Sequence, residues 1–441
     1  MGHELMVGAA EAAITPPVGT SLAGYFHDRV STAVQDDLFA KALVVERDGT
    51  EMAVVACDLI CISGELGHRA RARIEERAGI SATSTLVCAT HIHTGPDTRR
   101  SRVVPRNEQW FATLPDRIAE AVCDARAAKR PATLYAGRAE ERGLAFNRRF
   151  RLADGTETFG TGRGAVVGVA GPTDPELQVL AFASEVGEPF AVVSNYALHI
   201  DVMGGTAISA DYPGVMTEVL RGVYGEGLVH LFLNGACGNI NHVPYLVGSH
   251  VPNKGPVKVR QIGRALAGAV VNAAEKASPS ESCEVGVARE MVAIPYYPKD
   301  ERVLEMLLAA QRGAEPSERE RHFVERVESY DRDGETAPVE VQALRLGDAA
   351  VVGVPGEYFV EWGLEIKRWS PMVFTLVAEL ANDWFGYIPT WEALARGGYE
   401  ATPILSSQLA PGAGQQIADA AFRLLRGLNG HGQAGGPSVS G

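Results

Sequence analysis

Two histidines one residue apart, His91 and His93, stand in Ala89-Thr90-His91-Ile92-His93-Thr94-Gly95-Pro96. Imidazole is both a metal ligand and an acid–base group near neutral pH, so the pair can do chemistry. The residues before it, Ser84-Thr85-Leu86-Val87-Cys88, are apolar and β-branched, and they predict a buried strand that stops at the histidines. In extended chain, residues two apart point the same way. Both imidazoles are therefore expected to project together from the strand end into the Gly95-Pro96 turn. Strand ends and the loops after them are where α/β proteins keep their chemistry. An HxH pair there suits a metal such as zinc. The plainer alternative is two hydrogen-bonded loop histidines.

Other predicted strands also run into unusual polar loops. After Phe190–Tyr196 come Leu198-His199-Ile200-Asp201 and then Ile208-Ser209-Ala210-Asp211. After Val229–Leu233 comes Asn234-Gly235-Ala236-Cys237-Gly238-Asn239-Ile240-Asn241-His242. After Ala349–Val354 comes Pro355-Gly356-Glu357, and after Phe374–Val377 comes Asn382-Asp383-Trp384-Phe385-Gly386-Tyr387-Ile388-Pro389-Thr390. Taken singly, His199 reads equally as a satisfied core histidine, Glu357 as a cap for a helix over Tyr358–Arg368, and Tyr387 as a packed aromatic. Their recurrence at strand ends points to one shared cleft.

The elements that must position these residues alternate hairpins with helices. Asp48-Gly49 predicts a tight turn between Ala42–Glu46 and Met52–Cys57. Ser63 caps a helix that runs to Ala78 and stops at Gly79. A long helix is expected over Asn107–Ala128, a second hairpin over Leu177–Ala183 and Phe190–Tyr196, and helices over Pro213–Val223 and Pro256–Ala277. A third hairpin joins Val339–Leu346 to Ala349–Val354 through Gly347-Asp348. Residues 299–333 are heavily charged and read as helical, a solvated region or a cap over a site. No internal repeat is visible. The pattern implies an α/β fold with a mixed sheet rather than a purely parallel one.

Bulk properties narrow the function. The 441 residues carry 46% hydrophobic and 22% charged side chains, ordinary for a globular protein, with a formal net charge of −13. That balance argues against nucleic acid or an anionic membrane as partner. The N-terminal residues have no basic segment followed by an apolar core, and no apolar run reaches membrane-helix length, so a cytoplasmic protein is expected. The six cysteines lack CxxC spacing and read as reduced, buried thiols. Residues 1–428 are expected to form one catalytic domain, followed by a disordered Gly/Ser-rich tail at 429–441.

The ordered set of segments resembles the neutral/alkaline, non-lysosomal ceramidases, a family of zinc-dependent amidases, from residue 7 to about 426. His91-Ile92-His93-Thr94-Gly95-Pro96 is similar to that family's His-Thr-His-Ser/Thr-Gly-Pro, apart from Ile92. Asn147-Arg148 resembles its Asn-Arg, and Asn195-Tyr196-Ala197-Leu198-His199 its Asn-Phe/Tyr-Ala-x-His. Ile208-Ser209-Ala210-Asp211 resembles its Ile-Ser-x-Asp, and Pro355-Gly356-Glu357-Tyr358 its Pro-Gly-Glu-Phe. Gly386-Tyr387-Ile388-Pro389-Thr390 resembles its Gly-Tyr-Val/Ile-x-Thr, with Tyr399-Glu400 following as in the family. One segment departs. Where the family has Gly-Asp-Val-Ser-Pro-Asn with a catalytic serine, this chain has Gly238-Asn239-Ile240-Asn241-His242-Val243. The amide of Asn241 cannot be a nucleophile, although it can hydrogen-bond water or an oxyanion.

The resemblance implies zinc held by His91, His199, Glu357 and Tyr387, with His93 as acid/base and Arg148 and Tyr399 steadying the oxyanion, to which the amide of Asn241, where this chain departs from the family, could add a hydrogen bond. It implies a zinc-dependent amidohydrolase that cleaves the C–N bond of a soluble small-molecule amide by zinc-hydroxide attack. The alternatives are an esterase or lactonase with the same site, a true ceramidase, or a metal-binding protein without catalysis. Cys237 reads as a packed thiol rather than a replacement nucleophile. The loop 96–107 carries Arg99, Arg100, Arg102 and Arg106, which with Arg148 and Arg149 could make the mouth of the cleft positive; the alternative is a solvated loop.

Overall fold

In this computed structural model, residues 4–100, 103–162, 164–185, 187–248, 252–312 and 316–430 are described. Three sheets organise them. In the first, Met6–Ala13 pairs antiparallel with Phe39–Arg47, which pairs antiparallel with Thr50–Cys57, which pairs parallel with Thr85–Ala89. The hairpin closes at Asp48 and Gly49, with φ of 50° and 81°, the left-handed values a two-residue turn of this kind requires. Helix α1 (Gly64–Ala78) makes the crossover. Ser63 accepts from the Leu66 N–H at its start, and Gly79 ends it at φ 71°. Helix α2 (Glu108–Ala127), capped by Asn107, follows the last strand.

The second sheet repeats this plan. Thr133–Glu140, Glu176–Ala183 and Pro189–Tyr196 run antiparallel in turn. Helix α3 (Asp211–Tyr224) then crosses to Val229–Asn234, parallel to Pro189–Tyr196, and helix α4 (Pro256–Glu275) follows. The third sheet repeats it again. Val285–Pro295, Thr336–Leu346 and Ala349–Gly353 run antiparallel, with helices α5 (Glu301–Arg312) and α6 (Glu318–Glu328) inserted between the first two. Helix α7 (Val360–Trp369) crosses to Phe374–Ala378, parallel to Ala349–Gly353. A short helix, α8 (Trp391–Arg396), precedes the terminal α9 (Ala413–Gly430). The mixed-sheet α/β reading therefore holds, and a threefold repetition of one topological unit, unseen in the residues, is added to it.

The three sheets share a core. Leu43, Val54 and Leu86 of the first meet Leu180, Phe182 and Leu231 of the second and Leu344, Val351 and Leu376 of the third. Truncating a fully buried member such as Leu231 to Ala would cost about 2–5 kcal/mol. On the outer faces, α1 to α4 cover the first two sheets through Leu66, Phe111, Ile118, Ile262 and Leu266. Trp362, Ile366, Ile417 and Leu425 of α7 and α9 cover the third. Two sequence expectations change at the C-terminal end. The helix after Glu357 begins at Val360 with Phe359 as its cap residue, so Glu357 does not cap it. Asn429 and Gly430 are helical, and the rest of the expected tail lies outside the described residues. Among the described residues, no helix is long and apolar enough to cross a membrane.

Candidate metal centre and cleft

In each sheet the parallel pair ends level, at Cys57 and Ala89, Tyr196 and Asn234, and Gly353 and Ala378. The chain leaving these ends carries the polar groups. His91 leaves the first sheet, His199 and Cys237 the second, and Glu357 and Glu379 the third. Backbone and amide bonds lace the exits together. Asn234 Nδ2 donates to the Thr90 carbonyl at 3.2 Å, Glu379 N to the Asn234 carbonyl at 3.0 Å, and Asn382 N to the Val87 carbonyl at 2.8 Å. Asn195 Nδ2 donates to both Leu233 and Val377 carbonyls. Residues more than a hundred positions apart are thus fixed at one point.

His91 is not extended, as the two-residue spacing suggested. Its φ is 81°, a left-handed value rare for a side chain of this size. The twist still brings the pair together, with the His91 and His93 ring centroids 5.0 Å apart. His91 Nδ1 donates to the Ile60 carbonyl at 2.7 Å, and a carbonyl can only accept, so Nδ1 carries a proton. Nε2 is bare in the neutral ring, while, against the cost of burial, Glu357 beside it favours a second proton there. His199 Nδ1 faces Cys237, 3.7 Å from its Sγ, and burial holds the His199 ring well below the usual imidazole range, so it is neutral. The two Nε2 atoms meet at 3.0 Å. Two lone pairs at that distance repel unless a cation or a proton lies between them. Glu357 Oε2 stands 3.5 Å from His91 Nε2 and has no hydrogen-bond partner among the described residues, while its Oε1 accepts from Trp384 Nε1. One nitrogen each of His91, His93 and His199 lies within 4.8 Å of the others, all buried. These donors fit a divalent metal of zinc's preference for imidazole and carboxylate.

Electrostatics agree with that use. Burial would raise the Glu357 carboxyl, but His91 and Tyr387 outweigh it and hold it down near about 2. Burial pushes His93 down to about 3, with Asp201 opposing, so its ring is neutral. Neither His93 nitrogen has a partner among the described residues. Gly24 packs on that ring so closely that a Cβ there would fall 2.3 Å from Nδ1. Gly238 is likewise fixed, because a Cβ would lie 2.5 Å from the Glu357 carbonyl.

Tyr387 and Arg148 form the next layer. Glu357 and Tyr387 pair in a short parallel bridge. Arg148 Nη2 donates to Tyr387 Oη at 3.0 Å and to the Gly238 carbonyl at 2.8 Å, and its Nε to Glu400 at 2.8 Å. The Tyr399 ring lies 5.5 Å from that of Tyr387. Arg149, read as a possible mouth charge, is instead buried and paired with Glu400 and Glu157. Asn147 holds the turn, accepting from Arg149 N and donating to the Pro172 carbonyl. Asp211 caps the loop beyond His199, accepting from Val202 N and Met203 N.

A cleft of about 1040 Å³ opens over His93, His199, Arg148, Tyr387 and Tyr399. One wall is apolar, from Phe26, Leu152 and Phe159 to Met306 of α5 and Phe323 of α6, so the charged 299–333 region serves as a cap. The sequence gave no signal for Tyr25 and Lys254, which bond Asp201 beside His93. Asp201 itself was visible, two residues after His199. The arginine loop does not line the cleft. Arg99 is taken up by Asp97 and Trp384, Arg106 by Glu65 and Glu108, and Arg100 lies 3.7 Å from Glu65. Arg102 is outside the described residues. Asn241 is not among the lining residues either: its Nδ2 donates to Tyr245 Oη and its Oδ1 accepts from Val243 N. Cys237 is a buried free thiol, as are Cys57, Cys61 and Cys88, while Cys123 and Cys283 are free and half-buried.

The fold is similar to that of solved neutral ceramidase structures. The solved neutral ceramidase from Pseudomonas aeruginosa superposes with a TM-score of 0.75 at 20% identity, covering 97% of this chain and 75% of that one. A structure described as ceramidase complexed with C2 superposes equally, at 18% identity, covering 97% of this chain and 76% of that one. No protein-family model matches the chain, and no curated protein does.

Proposed function

We propose that this protein is a zinc-dependent amidohydrolase. The observation that carries the reading is the meeting of His91 Nε2 and His199 Nε2, 3.0 Å apart, beside Glu357 Oε2, with His199 lining the cleft. His91, His199, Glu357 and Tyr387 hold the metal, which when bound supplies an acidic, activated water near neutral pH. His93, neutral and without a partner, takes a proton and returns it to the leaving amine. Arg148 and Tyr399 donate to the carbonyl oxygen as it gains charge, and Glu400 keeps Arg148 aimed.

The substrate is an amide with an apolar acyl part and a polar amine part. Phe159, Met306 and Phe323 receive the first, and Tyr25, Asp201 and Lys254 the second. A soluble N-acyl amide fits this better than an anionic one drawn in by the arginine loop, where Arg99 and Arg106 are already paired. The test is turnover of matched amide and ester substrates, including an N-acyl amino acid and detergent-dispersed ceramide, before and after chelation. Amide turnover that chelation abolishes and zinc restores supports the reading. Full activity in the chelated protein, or ester turnover alone, overturns it.

A further inference from the structure

Glu379 is fully buried at the end of the third sheet's last strand, and the mechanism above does not use it. Its hydrogen bonds lead to the metal centre from two sides. Oε2 accepts from Cys237 N at 3.0 Å and from Tyr358 N at 3.1 Å. Oε1 receives the Cys237 thiol at 2.9 Å. Tyr358 directly follows Glu357, and Cys237 stands against His199 Nδ1. One carboxylate therefore grips the neighbours of two candidate ligands from different sheets.

The donors and acceptors along this chain can be assigned one by one. Burial pushes the Glu379 carboxyl up to about 8, and in its ionised form it only accepts, so the thiol then spends its proton on Oε1. The sulfur is left as an acceptor, and Asn234 Nδ2 donates to it at 3.4 Å. His199 Nδ1, 3.7 Å away, then faces the sulfur as an acceptor. Its proton stays on Nδ1, and Nε2 is left bare toward His91. A neutral amide in place of Glu379 would have an N–H group to place, and the same chain of assignments would no longer run one way.

We propose that Glu379 is a positioning residue of the metal centre, acting through Cys237 to fix the ring and tautomer of His199. The idea rests on the metal reading above. Carboxylates behind a metal-binding histidine are common partners, but here the thiol of Cys237, in the Asn234-Gly235-Ala236-Cys237 segment, stands between the two.

The experiment measures zinc affinity by competition with a chromophoric chelator, and the His199 tautomer by long-range ¹H–¹⁵N correlation of the zinc-loaded protein. Glu379→Gln is expected to weaken zinc binding by about 10-fold to 100-fold, the range for loss of such a partner. Cys237→Ala should do the same, whereas Cys237→Ser, which can still donate to Glu379 and accept from His199, should stay within about 3-fold of the original. His199→Ala is the reference for loss of a ligand. Unchanged affinity in Glu379→Gln, with His199→Ala defective, overturns the positioning role and leaves the metal reading standing. If Glu379→Gln does not fold, equal zinc affinity in Cys237→Ala and Cys237→Ser overturns the proposal by itself. A native protein that takes up no zinc removes the metal reading and this proposal with it.

Discussion

His91 Nε2 and His199 Nε2 face each other at 3.0 Å while each ring turns its Nδ1 to an acceptor, Ile60 O for one and Cys237 for the other. With both rings neutral and protonated at Nδ1, neither has a proton to offer its neighbour, and a metal between them would relieve that repulsion.

Single substitutions should show this directly. His91→Ala and His199→Ala are each expected to purify with roughly a tenth or less of the original zinc, whereas the native protein holds about one per chain. Elemental analysis of protein made without added metal decides it. Native occupancy in both variants would sink the assignment.

Tyr399→Phe removes a donor at the cleft while leaving the ring in place. We expect kcat to fall by about 10-fold to 1000-fold with KM within about 3-fold, the pattern of a contact made only in the transition state. A change confined to KM would make Tyr399 a binding residue instead.

Asn241→Ala should be mild. Its amide is spent on Tyr245 and Val243, so the loss is about 0.5–1.5 kcal/mol of stability and less than about 5-fold in kcat. Thermal melts and steady-state rates read both. A 100-fold loss of turnover with an unchanged melt would place Asn241 at the reacting carbonyl.

The apolar wall predicts chain-length selectivity. Phe159→Ser should lower kcat/KM about 10-fold for a long-chain N-acyl amide and leave a short-chain one unchanged. Equal losses for both would argue against an acyl subsite there.

Metal-free protein should lose stability in acid. Burial holds His93 near about 3 and His242 near about 4, with Asp201 opposing in each case. Unfolded histidine binds its proton near 6.5, so between there and pH 4 only the unfolded chain is protonated at these sites. Stability is full above about 6.5 and falls with pH, by up to ~1.4 kcal/mol per unit for each group. Denaturant melts from pH 7 to 4 measure the slope, which His242→Gln should reduce; an unaltered slope in that variant would exclude His242 as a source.

Local features were legible in the residues because short-range rules set them. Asp48-Gly49, Ser63, Gly79 and Asn107 turn or cap where they should, and all three hairpins pair as expected. His91, His199, Glu357 and Tyr387 stand out in the residues because each follows a predicted strand, and it is the family resemblance that groups them as a ligand set. Pairing across long distances was not legible. Arg149 is an unremarkable charge until Glu400, 251 residues away, buries it, and the arginine loop looks open until Glu65 and Glu108 meet it. Nor did any local cue mark His91 as left-handed, since its conformation is set by the Ile60 carbonyl and by Cys57 and Leu59. The threefold plan escaped notice because register, not residue identity, is what repeats.

That plan has a consequence for how such a centre changes over time. Equivalent exits of the three units carry unlike groups, a backbone carbonyl at Ile60 that holds His91, an imidazole at His199 and a carboxylate at Glu357. The scaffold is nearly symmetric and its decoration is not. Each exit can therefore be rewritten alone while the other two keep the frame, so a lineage can trade one hydrolytic chemistry for another without passing through an unfolded ancestor.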